Sequence, residues 1–278
     1  MIKIELLNKE KDNIYGKYDH EKEYAPFIAR GEKLCTLGLK EYFYQIGDKI
    51  RVTVDQVPGF YMVQLDETLA PSLLYFTQKE WLFEIPLTDN LRKASVETAF
   101  KSVRHSLTVR KAYPFEISNY QNLSFNPHDQ KKSSGVYPHI SANVETRDES
   151  IFFVKNAIDG KLANLSHGSY PFASWGINQQ PDAELTIDFG RTVEVDNLSF
   201  LFRCDFPHDS YWQSVQVIFS NGNRMTFDTE KYSEYQNFNF SLQQTSFIKL
   251  ACLKKAQDDS PFPALVQIEV FGKNKSEQ

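Results

Sequence analysis

Two stretches of strict two-residue alternation, each interrupted by a turn dipeptide, most constrain what this chain can fold into. Ile50-Arg-Val-Thr-Val-Asp55 leads to Pro58-Gly59 and then to Phe60-Tyr-Met-Val-Gln-Leu65. Val215-Gln-Val-Ile-Phe-Ser220 leads to Asn221-Gly222 and then to Asn223-Arg-Met-Thr-Phe-Asp228. A period of two puts successive side chains on opposite faces, so each run reads as a half-buried strand and each pair as a hairpin. Asn-Gly suits a turn with positive φ at both central positions. Further strands are predicted over 73–77, 80–85, 103–111, 184–189, 197–203, 246–253 and 264–272, with one short helix over 92–101. Many short strands with Gly, Pro and Asn between them make the expected fold class all-β, built as sandwiches.

Composition agrees. Phe 22, Tyr 14 and Trp 3 make 14% of the 278 residues, and aromatics favour strands and ligand-facing loops over helix surfaces. The length accommodates one or two domains. Between about 117 and 150 the alternation stops, and Ser118-Asn-Tyr-Gln-Asn-Leu-Ser-Phe-Asn-Pro-His-Asp-Gln-Lys-Lys-Ser-Ser-Gly135 has the composition of a connection. Two β-sandwich domains are therefore expected, 1–118 and 140–278, around an ordered linker, 119–139. The first reads as a smaller sandwich, in one version immunoglobulin-like, of a kind met in bacterial proteins.

The net charge of −5 argues against nucleic-acid and anionic-membrane partners, both of which draw affinity from a Lys/Arg excess. The abundance of large apolar residues excludes disorder. The opening residues lack an apolar leader core, and no window approaches the roughly 20 apolar residues of a spanning helix. A cytoplasmic location is the expectation if this is the native start; a trimmed secreted chain reads identically. Cys35, Cys204 and Cys252 have apolar neighbours and no Cys-x-x-Cys spacing, so they read as small core residues of a reducing compartment, which disfavours a Cys204–Cys252 bridge.

The second half carries four elements in order: Asn156-Ala-Ile-Asp-Gly160, Ser174-Trp175, Ala183-Glu-Leu-Thr-Ile-Asp-Phe-Gly190 and Val266-Gln-Ile-Glu-Val-Phe-Gly272. With these, residues 140–272 resemble the discoidin, or coagulation-factor C-type, galactose-binding-like jelly roll of family 32 carbohydrate-binding modules. Side-chain alternation is consistent with that fold: Leu185, Ile187 and Phe189 point one way, and Glu184, Thr186 and Asp188 the other. The resemblance implies a structural Ca²⁺ held by Asp159, Ser174 and Glu269, with Asn164 as a further contributor. Hard oxygen ligands of this kind suit Ca²⁺. The competing reading is an Asp-Gly turn whose carboxylate accepts backbone N–H bonds, and the stretch from Lys161 to Ala173 is longer than the family's usual one.

A sugar site needs an aromatic face and planar polar groups. The loop 164–178 offers His167, Tyr170, Trp175 and Asn178, and the segment 203–212 offers Arg203, Asp205, His208 and Trp212. Against these stand a buried core role for Trp175 and a surface pair between Arg203 and Asp205 or Asp209. In the linker region, His128, Asp129, His139 and Arg147 suggest a pocket at the domain junction, against scattered solvated histidines. The leading functional expectation is non-catalytic binding of a glycan or oligosaccharide by loops of the C-terminal jelly roll. The alternatives are a carbohydrate-active lyase or hydrolase using the junction residues, and a protein-interaction module. No P-loop, dinucleotide fingerprint or nucleophile motif occurs, no cofactor beyond Ca²⁺ is expected, and homo-oligomerisation through the N-terminal sandwich is left open.

Overall fold

The computed structural model describes residues 1–275, and the chain divides into two compact units. The first comprises Met1–Pro114 with Lys132–Val136; the second comprises Phe115–Lys131 and the chain from Tyr137 on. Both are all-β. Helical structure among the described residues is limited to short turns such as Asp89–Arg92 and Thr146–Asp148, and no helix is long and apolar enough to cross a membrane.

The first unit is a sandwich of two antiparallel sheets. One runs Ile28–Gly31, Ile2–Leu7, Lys49–Val54, Glu80–Glu84; the other contains, in order, Ser72–Phe76, Gly59–Gln64, His105–Lys111 and Leu34–Leu39. Ile4, Ile50 and Val52 from the first sheet meet Tyr61, Val63, Leu107 and Val109 from the second in one core. Burying such a side chain contributes about 1.5–3 kcal/mol.

The expected hairpin over 50–65 does not form. Lys49–Val54 pairs with Ile2–Leu7 and Glu80–Glu84, while Gly59–Gln64 pairs with Ser72–Phe76 and His105–Lys111. Residues 55–58 carry the chain from one layer to the other, braced by the Tyr61 hydroxyl, which donates to the Gln56 carbonyl at 2.8 Å. Alternation states which side chains face inward, and a strand on either side of a sandwich core has the same pattern. The helix predicted over 92–101 is also absent: a single turn, Asp89–Arg92, is capped by Thr88 and ends there.

The second unit is a jelly-roll sandwich built on two long bent strands, Leu185–Phe202 and Gln236–Lys255. Leu185–Asp188 pairs with His139–Ala142 on one edge and with Phe247–Leu250 on the other. Beyond a bulge, residues 193–202 pair with Gln236–Thr245 and with Ala264–Asn274. The strands predicted separately over 184–189 and 197–203 are thus one strand turning a corner, as bulges permit. Gly190, at the corner, has φ +66, and a Cβ there would lie 2.4 Å from the Tyr137 ring. The 215–228 hairpin forms, with Ser214–Ile218 paired to Arg224–Asp228. Only Gly222 in its turn has positive φ, so it is not the predicted two-residue type.

The stretch expected as linker is mostly structural. Gln121–Asn122 adds to the sheet beside Ala264–Asn274, and Ser124, Asn126 and His128 are buried. All three cysteines are free; Cys35 and Cys204 are buried as expected, but Cys252 is exposed.

Candidate functional site

Four segments of the second unit close around a cleft of about 290 Å³. One is the turn 146–152, supplying Thr146, Arg147 and Phe152. The second is the loop 167–179, supplying His167, Gly176, Ile177, Asn178 and Gln179. Arg203 and His208 come from the end of the long strand and the turn after it, and Phe262 and Pro263 from the loop before the last strand.

The loops hold one another. The Asn178 amide donates to the Thr146 hydroxyl at 2.8 Å. Gly176 lies so close to Thr146 and Phe152 that a Cβ would meet them at 2.9 and 3.0 Å. Arg147, Asn178 and Gln179 all have positive φ, a conformation that costs non-glycine residues energy and concentrates at functional sites.

Arg203 is the most constrained polar group. It is 5% exposed, its Nη2 donates to the Phe262 carbonyl at 2.8 Å, and its Nε lies 3.6 Å from an Asp209 carboxylate oxygen. Burial lowers the Arg203 pKa and raises that of Asp209. Arg203 Nε and Asp209 Oδ1 are buried with no hydrogen-bond partner. Asp209 Oδ2 accepts the Asp205 N–H at 2.6 Å, and the His208 N–H donates to the Asp205 carbonyl at 2.7 Å, fixing the turn. The Asp205 carboxylate bonds His167 Nδ1, and the His167 and His208 rings stand 6.1 Å apart. Arg147 forks onto Glu149 at 2.8 and 3.1 Å and covers the Phe152 ring.

Each arginine of the cleft thus has a carboxylate partner, Arg147 with Glu149 and Arg203 with Asp209, and among the described residues no Asp or Glu lines the cleft itself. The result is a set of planar donors (guanidinium, imidazole and amide) beside the apolar surfaces of Phe152, Ile177, Phe262 and Pro263.

Of the residues expected to bind ligand, His167, Asn178, Arg203 and His208 meet in the cleft, and Asp205 supports His167 from behind. Tyr170 is exposed but does not line it. Trp175 and Trp212 are corrected: at 0% and 2% exposed they pack 5.9 Å apart in the core and offer no face to a ligand. Trp175 pairs in the sheet with Leu265, and its indole N–H donates to Val144. The junction group also divides. Arg147 lines the cleft, whereas His128, Asp129 and His139 are buried elsewhere in the second unit. There, His139 Nδ1 lies 2.8 Å from Asp129 Oδ1, and Oδ2 accepts the Ile140 N–H. Thr146, Phe152, Gln179 and Phe262 were not anticipated. Phe262 had a visible signal, being an aromatic bracketed by Pro261 and Pro263 in a loop.

The residues expected to hold Ca²⁺ are otherwise engaged. Asp159 accepts the Lys161 N–H with Oδ1 and the Lys161 ammonium with Oδ2. The Asn164 side-chain amide donates to the Phe202 and Ser233 carbonyls at 2.9 Å. Burial raises the Glu269 carboxyl pKa, disfavouring its charged form. Ser174 Oγ alone is buried without a partner. Ca²⁺ takes about six to eight oxygen ligands, usually with carboxylates among them; here the Lys161 ammonium occupies the Asp159 carboxylate and Asn164 donates instead of accepting, so the side chains as arranged do not fit Ca²⁺.

No protein-family model and no curated protein sequence matches the chain. Several solved structures are similar to about half of it. One is chitosan-binding module 1 of a chitosanase/glucanase from Paenibacillus sp. IK-5, at 15% identity, covering 54% of this chain and 98% of that one, with a TM-score of 0.37. Another is the family 32 carbohydrate-binding module of C. perfringens NanJ in complex with galactose, at 18% identity, covering 48% and 91%, with a TM-score of 0.36. A Streptococcus pneumoniae fucose-binding module is similar at 15% identity, covering 55% and 96%, with a TM-score of 0.38.

Proposed function

We propose that the second unit binds a carbohydrate, without turning it over, in the cleft framed by Arg203, His208, Asn178 and Phe262. The observation that carries this reading is the composition of the lining. Planar donors, with both arginines already paired to carboxylates, stand beside the rings of Phe152 and Phe262, and no Asp or Glu is among the described lining residues. A sugar ring presents the complementary pattern, with an apolar face for stacking and neutral vicinal hydroxyls for fixed donors. Arg203, which lines the cleft, keeps unused hydrogen-bonding capacity at Nε although buried, and a ligand hydroxyl is one group that can use it. Hydrolysis by paired carboxylates lacks its groups in the lining.

The test is a glycan array probed with the full chain, followed by calorimetry on the best ligand with the parent, His208→Ala, Asn178→Ala and Phe262→Ala. The reading expects at least tenfold weaker binding in each variant with unchanged circular dichroism, and an intact glycan by mass spectrometry after prolonged incubation. Cleavage products, or affinities unmoved by all three substitutions, would overturn it.

A further inference from the structure

We propose that the first unit binds a divalent transition-metal ion of the zinc type between Asp66, Glu67 and His105. These residues lie outside the cleft and are brought together by strand pairing. His105–Lys111 runs antiparallel to Gly59–Gln64, with Thr108 opposite Gln64; continuing that register sets His105 opposite Glu67. A ring nitrogen of His105 and one carboxylate oxygen each from Asp66 and Glu67 all lie within 4.8 Å of one another.

The hydrogen bonds say which nitrogen is free. His105 Nε2 is 2.8 Å from the Tyr42 carbonyl, which can only accept, so Nε2 carries the proton and Nδ1 keeps its lone pair. Nδ1 is buried with no partner, in a residue 4% exposed. A histidine that donates one N–H to a backbone carbonyl, keeps its other nitrogen unpaired and is clustered with two carboxylates has the arrangement of a metal ligand. The Tyr44 ring lies against the His105 ring, tilted by 38° with centroids 4.1 Å apart, and its hydroxyl is likewise buried without a partner.

Charge points the same way. Asp66 is 4% exposed, and among the described residues neither it nor Glu67 forms an ion pair. Hydrogen bonds orient both carboxylates: Asp66 accepts from the Thr68 and Phe100 N–H groups at 2.9 and 3.0 Å, and Glu67 from the Ser106 N–H at 2.6 Å. These bonds leave two negative charges together without a cation, an arrangement a divalent ion neutralises. One imidazole with two carboxylates suits Zn²⁺ better than Ca²⁺ or Mg²⁺, which favour oxygen alone. Such an ion would staple the turn after one strand to the start of its neighbour.

The experiment is titration of the metal-stripped full chain with Zn²⁺ against a chromophoric chelator, with Co²⁺ absorption as a spectroscopic readout. One equivalent is expected to bind, undisturbed by millimolar Ca²⁺. Glu67→Gln, an exposed position whose amide oxygen can still accept from Ser106, should weaken it at least tenfold and abolish the visible Co²⁺ band. His105→Gln should remove it. A His167→Ala/His208→Ala double variant should keep the equivalent, since those rings belong to the other unit. Absence of Zn²⁺ binding at micromolar concentration, or binding that survives Glu67→Gln and disappears in the double variant, would overturn the proposal.

Discussion

Acid should destabilise the second unit through His128. Its imidazole is 1% exposed, and burial pushes its pKa down to about 3, whereas the unfolded chain restores about 6.5. A depressed folded value means the native state holds the ring neutral. Its contribution is therefore complete above pH 6.5 and is lost as the pH falls toward 3, at about 1.4 kcal/mol per pH unit. At pH 5, 1.5 units below the unfolded value, the loss is about 2 kcal/mol. The neighbouring pair behaves differently. Burial lowers His139, but the bond to Asp129 and its charge outweigh this and raise it, so that group's contribution is present below pH 6.5 and fades as the pH rises. Burial raises Asp129, which gives an opposing slope in acid. A difference measurement separates the terms. Urea unfolding is followed by tryptophan fluorescence in a Trp81→Phe background, so that Trp175 and Trp212 report on the second unit. The stability gap between the parent and His128→Gln should narrow by about 2 kcal/mol from pH 7 to pH 5. A gap that stays constant, or a His128 ring resonance that titrates near pH 6.5, would refute the reasoning.

Two further outcomes follow from the same unit. Gly190→Ala should lower the unfolding midpoint more than Gly222→Ala, as thermal melts can show. Both sites have positive φ, but only at Gly190 does a Cβ meet a ring, while nothing lies within 4 Å at Gly222. Exchange of EGTA for millimolar Ca²⁺ should move the second unit's midpoint by less than about 1 °C, since tight binding to the native state would raise it by several degrees. A rise of that size would show that Asp159 gives up Lys161 to the ion.

Strand facing was legible in the residues, and strand partnership was not. Leu185, Ile187 and Phe189 alternate in the sequence and are all fully buried. Nothing local told Ile50–Val54 and Phe60–Gln64 that they would lie in opposite sheets, because an arch and a hairpin demand the same inward faces. The helix over 92–101 failed for a related reason. Ala94, Ala99 and Phe100 are buried, but Phe100 sits at φ 56, so irregular backbone rather than a helical face delivers them to the core. In the cleft, residue type within Gly- and Pro-rich loops was enough to find His167, Asn178, Arg203 and His208. Thr146, Gln179 and Phe262 come from separate segments, the outermost two 116 residues apart (262 − 146), joined only by the folded jelly roll. Trp175 and Trp212 misled because an aromatic beside a polar loop reads as a platform, while here each begins a strand and turns inward. His128 and His139 are polar residues in a segment with the composition of a linker, and only packing reveals them as buried.

The most direct test is a crystal structure of the full chain with the best array ligand bound. A sugar ring lying against Phe262, with hydroxyls on Arg203, His208 and Asn178, is the expected result. A ligand seated elsewhere on the second unit, or on the first unit, with this cleft untouched, would contradict it.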